Sequence, residues 1–171
     1  MSQSHPPVDR YDTDLFGAGR GEISLRPLPP GEPQRLGPVF AAMDPWARLG
    51  YTADAVSGYL GTIEKSAPRY AIMVGGDIAA AAGIRLNWLR GPYVQFLGVL
   101  PPFRKRKLGS AFLAWLAHEA KRHGEHNVWV LSSNFNDAAL RFYAANGFER
   151  TGEIADLVAP GTAEVLLRRR L

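Results

Sequence analysis

The sequence predicts a mixed α/β fold with its elements in the order β-α-α-β-β-β-α-β-α-β-β. Three observations carry that prediction. Runs of strand-like patterning are interleaved with runs of helical periodicity instead of being grouped apart. Two apolar stretches, Arg69–Val74 and Ile78–Leu86, are separated only by Gly75, Gly76 and Asp77, a strong hairpin signal. A continuous apolar run, Tyr93–Leu100, passes through a basic loop directly into an amphipathic helix.

In order along the chain, residues 1–20 carry Pro, Gly, Asp and Ser without periodicity and are expected to form a loose leader. Residues 21–171 are expected to form a single domain. Glu22–Arg26 alternates as a strand does, and Pro27–Gly31 breaks it. Leu36, Val39, Phe40 and Met43 recur at helical spacing over 32–43. Thr52 is a natural N-cap for a second helix running to about Lys65. The hairpin follows, then a turn at Asn87–Pro92 and the strand at Tyr93–Leu100. Leu108, Phe112, Trp115, Leu116 and Ala120 place a helix over 107–122, and Val128–Leu131 reads as a short buried strand. Asn136 caps a helix that ends at Asn146, with Gly147 in the position that terminates it. Phe148–Val158 and Glu164–Arg170 are strands around a Pro160-Gly161 turn.

Composition removes several classes of function. The chain has 171 residues, 46% of them hydrophobic, which is room for one sizeable core and little more. It contains no cysteine, so disulfides, thiolate nucleophiles and Cys-based metal sites are excluded. Its four histidines (His5, His118, His123, His126) have no metal-ligand spacing, so no metal is expected. No apolar run is long enough for a membrane span, and the start, MSQSHPPVDRYD, lacks a signal-peptide core. The expectation is a soluble cytoplasmic protein with no membrane partner. A net charge of +4 suits an anionic ligand but is not the footprint of a nucleic-acid binder.

The stretch YVQFLGVLPPFRKRKLGSAFL (residues 93–113) is the most informative. A buried strand ends at Pro101-Pro102, and four consecutive cations, Arg104, Lys105, Arg106 and Lys107, precede Leu108, Gly109, Ser110 and a helix. The first N–H groups of a helix have no intrahelical partner, and the helix dipole makes that end positive. Cations there, with a Gly that lets a ligand approach the backbone, make a phosphate site.

These residues resemble the acetyl-CoA signature of the GNAT superfamily of N-acetyltransferases, Gln/Arg-x-x-Gly-x-Gly/Ala after a strand that ends in a Val-x-Pro-like phrase. The sequence reads Arg104-Lys105-Arg106-Lys107-Leu108-Gly109 after Val99-Leu100-Pro101, with Lys107 standing where the family pattern has its first Gly. The resemblance implies that the amides of this loop cradle the pyrophosphate of acetyl-CoA, the cosubstrate. It also implies that the backbone of Leu97 and Val99 pairs with the pantetheine arm.

A second phrase, Asn136-Asp137-Ala138-Ala139-Leu140-Arg141-Phe142-Tyr143 ending in Gly147-Phe148, looks like the family's Asn-x-x-Ala-x-x-Phe-Tyr-x-x-x-Gly-Phe motif. With the early hairpin, the resemblance covers about residues 22–170. It implies that Tyr143 sits near the thioester sulfur and protonates the departing thiolate, and that Asn136 hydrogen-bonds or orients the pantetheine. A thiol pKa of about 8.5 against a phenol near 10 permits proton sharing at the leaving sulfur.

Many relatives carry a Glu base on the strand before the phosphate loop, but no carboxylate lies between Asp77 and Glu119 here. The base is then an acid from elsewhere, a water chain, or solvent acting on a neutral amine. Direct attack on the thioester is expected, because no Cys or Gly-x-Ser-x-Gly elbow exists to carry an acyl-enzyme. Met43–Tyr51 (MDPWARLGY) resembles a Pro-Trp-x-x-Leu-Gly-Tyr phrase of a bacterial subgroup in this superfamily. It implies that Trp46 and Tyr51 wall the acceptor pocket and that Asp44 draws in a cationic amine or serves as a distant base. The expected partner is a small-molecule or peptide amine, with a homodimer as the assembly to test. Two other readings stand beside this one: a catalytically silent acetyl-CoA sensor or partner subunit of the same fold, and a nucleic-acid module using residues 104–107. The remaining cations are scattered apart from Arg168–Arg170, which speaks against the nucleic-acid module.

Overall fold

The computed structural model describes residues 11–17 and 21–171. Seven strands form one sheet: β1 (Ile23–Pro27), β2 (Arg69–Val74), β3 (Asp77–Trp88), β4 (Gly91–Val99), β5 (Asn127–Ser133), β6 (Glu149–Ala155) and β7 (Ala163–Arg170). Four helices accompany them: α1 (Glu32–Ala41), α2 (Ala53–Gly61), α3 (Leu108–Arg122) and α4 (Asp137–Ala145). The sheet order is β1-β2-β3-β4-β5-β7-β6. Every neighbouring pair is antiparallel except β4 and β5. The mixed α/β architecture and the element order match the sequence expectation.

Local chemistry explains most element boundaries. Thr52 Oγ1 accepts the Ala55 N–H at 3.1 Å and starts α2. That helix stops at Gly61, short of the expected Lys65, because Thr62 is already extended and turns its hydroxyl back to the Gly58 carbonyl. Two glycines in the last turn leave little propensity to carry the helix further. Val74 pairs with Asp77, so Gly75-Gly76 closes a two-residue hairpin, with Gly75 at φ +61°. β5 runs past the expected Leu131 through Ser132 and Ser133, because those residues pair with Val165 and Glu164 of β7. Pairing across the ladder overrides their weak strand propensity.

The sheet separates two cores. On one face Phe112, Leu113 and Leu116 of α3 pack with Ile72, Ile84, Val128 and Val130. On the other, Leu36 and Phe40 of α1 and Val56 and Leu60 of α2 pack with Ala71, Met73, Ala81 and Phe96. Each fully buried Leu or Phe contributes about 1.5–3 kcal/mol by removing apolar area from water.

Of the expected leader, residues 1–10 and 18–20 lie outside the described residues. Residues 11–17 are held against α3, with Tyr11 and Phe16 buried in the core. The Asp12 N–H donates to Glu119 Oε2 at 2.7 Å, and Trp115 Nε1 donates to the Asp12 carbonyl at 2.9 Å. The Tyr11 hydroxyl donates to the Glu125 carboxylate. Glu119 is fully buried, and its Oε1 takes the Arg122 guanidinium at 2.8 Å. A buried carboxylate without such partners would cost several kcal/mol. Polar anchoring around an aromatic core residue, rather than periodicity, fixes this segment.

β4 and β5 are joined only through Tyr93–Trp129 and Val94–Val130. The pairing depends on a close approach just before it, where a Cβ on Gly91 would lie 1.7 Å from the Asn127 carbonyl oxygen. Gly91→Ala is therefore expected to destabilise the fold by at least about 2 kcal/mol, lowering the melting temperature by roughly 4–8 °C in a thermal-unfolding experiment.

Candidate functional site

Beyond Val94 the two parallel strands diverge, and the site lies in the resulting cleft. β4 also gains a residue there. Gly83 pairs with Phe96 but Ile84 pairs with Val94, so Gln95 has no counterpart on β3 and forms a bulge. From the bulge to Val99, β4 is paired on its β3 side only, which leaves the backbone of Leu97 and Val99 open toward the cleft.

One side of the cleft is a groove of about 460 Å³ at the start of α3. Leu97 and Val99 line it from β4, and Arg104, Lys105, Arg106, Lys107, Leu108, Gly109 and Ser110 line it from the loop and first turn. All nine are residues the sequence nominated for cofactor binding. Ala138, Ala139, Phe142 and Tyr143 of α4 close it. Arg104 through Lys107 are exposed, so their charges meet solvent or a ligand without a desolvation cost.

Lys105 and Lys107 have φ of +63° and +59°, and Lys107 is the N-cap of α3. The left-handed cap explains why the family pattern has Gly at this place, and it tells what the Lys costs: about 1–2 kcal/mol of backbone strain. Left-handed residues alternating with ordinary ones turn successive N–H groups inward, a geometry suited to an anion. Gly109 is needed for space. A Cβ there would lie 2.9 Å from the Phe142 ring, so the side chain's absence lets α3 and α4 meet beneath the groove.

The other side is a cavity of about 220 Å³ between β4, β5, β7 and the 45–51 loop. Trp46 and Tyr51 line it as expected, with Trp46 stacked on Phe96 at 4.5 Å and 19° between planes. The loop is tied down across the cavity by Arg48, whose guanidinium lies 3.9 Å over the Phe135 ring. Asp44 is exposed and outside the lining of either space. Asn136 lines this cavity rather than the groove, and its Oδ1 is committed to the Ala139 N–H at 3.1 Å. Its NH₂ group and the second lone pair of Oδ1 remain to reach a ligand.

Leu97, Ala139 and Tyr143 line both spaces. Tyr143 is thus where groove and cavity join. Burial pushes its phenol well above the ordinary value, with the Tyr93 phenol adding to the shift, so it stays a protonated donor at any physiological pH. Burial likewise pushes Tyr93 up to about 12.

Several lining residues carried no distinguishing signal in the sequence: Tyr93 and Gln95 at the bulge, Ser133 and above all Glu164. Gln95 Oε1 is buried without a hydrogen-bond partner. Glu164, 5% exposed, accepts a hydrogen bond from Ser133 Oγ at 2.7 Å. As the second residue of a strand after a Pro-Gly turn, a Glu reads as solvated. Its burial follows from the β5–β7 pairing, which periodicity does not encode. Among the described residues no group of three or more His, Asp or Glu could hold a metal ion, and no helix is long and apolar enough to cross a membrane.

A basic groove at a helix start thus meets a second cavity, between diverging parallel strands, at a buried Tyr. The chain belongs to the acetyltransferase (GNAT) family, whose model matches residues 36–148. It is 39% identical over 66 residues to the aminoalkylphosphonate N-acetyltransferase of Salmonella typhimurium, a stretch spanning 38% of this chain and 41% of that relative. Among solved structures it resembles a GNAT acetyltransferase from Elizabethkingia anophelis with acetyl-CoA bound, at TM-score 0.67, 16% identity and coverage of 88% of this chain and 99% of that one. It also resembles the IAA acetyltransferase from Bacillus cereus, at TM-score 0.63, 14% identity and coverage of 87% and 99%. At these identities the likeness concerns the fold.

Replacing Lys107 by Gly should relieve the left-handed strain. After allowance for the greater freedom of Gly in the unfolded chain, the expected gain is about 0.5–1 kcal/mol, read as a melting temperature higher by roughly 1–4 °C.

Proposed function

We propose that the protein transfers an acetyl group from acetyl-CoA to a primary amine by direct attack within a ternary complex. The junction of the two spaces at Tyr143 carries this reading, because it lets a thioester held in the groove present its carbonyl to a nucleophile in the cavity. Family membership and the acetyl-CoA-bound neighbour support it. A cytoplasmic location goes with the reading, since the donor is a cytoplasmic metabolite.

In this scheme the loop amides and the cations at 104–107 hold the pyrophosphate, and the open edge at Leu97 and Val99 receives the pantetheine amides as an added strand. The acceptor arrives as an ammonium and gives up a proton. Its lone pair then attacks the thioester carbon, a C–N bond forms, and the C–S bond breaks as the tetrahedral adduct collapses. The adduct nitrogen loses a second proton while the leaving thiolate gains one, so a single proton is released per turnover. Tyr143 sits where the thiolate departs. With its phenol raised above 10 and a thiol near 8.5, full proton transfer to sulfur is uphill by more than about 2 kcal/mol, so the hydroxyl acts as a hydrogen-bond donor that shares its proton.

CoA should bind in calorimetry with an affinity that falls as salt rises, because its phosphates meet exposed cations. Gly109→Val should abolish that binding by driving a side chain into Phe142, whereas Lys105→Ala should weaken it only mildly. Absence of CoA binding at low salt in the wild type would end the acetyltransferase reading.

Tyr143→Phe should leave folding and CoA affinity intact and lower kcat by roughly 10²-fold. The loss should shrink with an acyl donor whose thiol is more acidic. An unchanged single-turnover rate would reduce Tyr143 to a packing residue.

A further inference from the structure

Every strand residue near the acceptor cavity is neutral except one. The lining contains no Lys, Arg or His, and its sole charged group is Glu164. The carboxylate is 5% exposed; its Oε1 takes the Ser133 hydroxyl at 2.7 Å, and its Oε2 has no partner among the described residues. Gln95 Oε1, on β4 two strands away in the same sheet, is buried and unpartnered. The Glu164 carboxylate thus stands in a lining that supplies no cation, and Gln95 Oε1 adds one buried acceptor with no donor. A carboxylate this little exposed is costly without a counter-charge, so the cavity suits a cationic donor brought from outside. An ammonium, with three N–H donors and a positive charge, supplies what the carboxylate lacks and keeps N–H groups free for a neutral acceptor such as Gln95 Oε1.

The rest of the cavity selects what the ammonium is attached to. Trp46, Tyr51, Tyr93 and Phe96 are aromatic, and Leu157 and Val158 stand at 49% and 40% exposed on the β6–β7 connection. The guanidinium on the 45–51 loop, Arg48, is turned onto Phe135 and lies outside the lining. An acceptor bearing a carboxylate, phosphate or phosphonate would bring its anion beside Glu164 with no counter-charge. An aminoalkylphosphonate, as in the name of the Salmonella relative, is therefore disfavoured here despite the sequence match.

We infer that Glu164, with Gln95, is the ammonium-recognition site of this protein, and that the acceptor is an aromatic or apolar primary amine without an anionic group. The inference rests on reading this cavity as the acceptor side. It assigns to β7 the carboxylate missing from β4 and removes the need for Asp44.

Three probes that share one phenyl group and differ in charge test it: 2-phenylethylamine, neutral 2-phenylethanol, and free L-phenylalanine, which adds a carboxylate. Each is titrated calorimetrically into the wild type with and without CoA. 2-Phenylethylamine is expected to bind at least roughly 10-fold more tightly than either of the others. Glu164→Gln keeps an oxygen for the Ser133 hydroxyl and should weaken 2-phenylethylamine roughly 10- to 100-fold while leaving 2-phenylethanol unchanged. The inference is overturned if 2-phenylethylamine does not bind, if either other probe matches it, or if a folded Glu164→Gln protein binds it as the wild type does. Should that variant fail to fold, the wild-type series alone decides. CoA affinity in the same titrations keeps the two readings apart: its absence would sink acetyl transfer and leave the ammonium site standing.

Discussion

The site exists because two parallel strands touch at only two residue pairs and then separate. A continued β4–β5 ladder would consume the backbone groups of Leu97 and Val99 and close the cleft. Two features set where the strands pair and where they part. Gly91 brings the strands together at their starts, where no side chain fits against the Asn127 carbonyl. The bulge at Gln95 then sharpens the twist of β4 and turns it away. An exposed strand edge is ordinarily a liability for aggregation. Here it lies inside a cleft lined by the start of α3 and by α4.

The groove's rigidity comes from the opposite end of α3. Its N-terminus is strained and exposed at Lys107, while its C-terminal half is fixed by Trp115, Glu119 and the polar contacts of Asp12. Tyr11 meets Trp115 edge-on at 6.0 Å and lies 5.3 Å from His123, filling the space beside the last turn. A helix anchored at one end can hold an unfavourable backbone at the other, since rotating it to relieve Lys107 would uncouple the buried Glu119 carboxylate. Strain at Lys107 is thus offset by contacts distributed along the helix.

The sequence was most legible where a local pattern is also the functional feature. The Gly75-Gly76 hairpin, the Asn136 cap and the basic run before Gly109 each act within a few residues of themselves, so periodicity and turn chemistry find them. Leu97, Val99 and residues 104–110 indeed meet in one groove, and Tyr143 reaches it from α4. Residues brought in by strand pairing were not legible. Glu164 lies near the cleft only because β7 inserts between β5 and β6, and nothing in GTAEVLLRRR announces that order. Tyr11 was equally silent, because its place depends on buried partners more than a hundred residues away. Asp44 is the reverse case: its adjacency to Trp46 in the motif singles it out, yet it is exposed and lies outside the lining of both spaces.

That contrast bears on where the cavity's carboxylate comes from. The positions of β4 at the bulge carry the neutral Tyr93 and Gln95, both of which line the cavity. The Tyr93 phenol is held protonated by burial, and Glu164 is among the groups that raise it. Glu164 stands on β7 with β5 between it and β4, so the cavity's charged group and the neutral polar groups Tyr93 and Gln95 come from different strands of one sheet. Under the proposed reading the nitrogen that Glu164 attracts is also the nucleophile, so the cation it recruits must still reach a thioester carbon beside Tyr143, where a neutral hydroxyl meets the leaving sulfur.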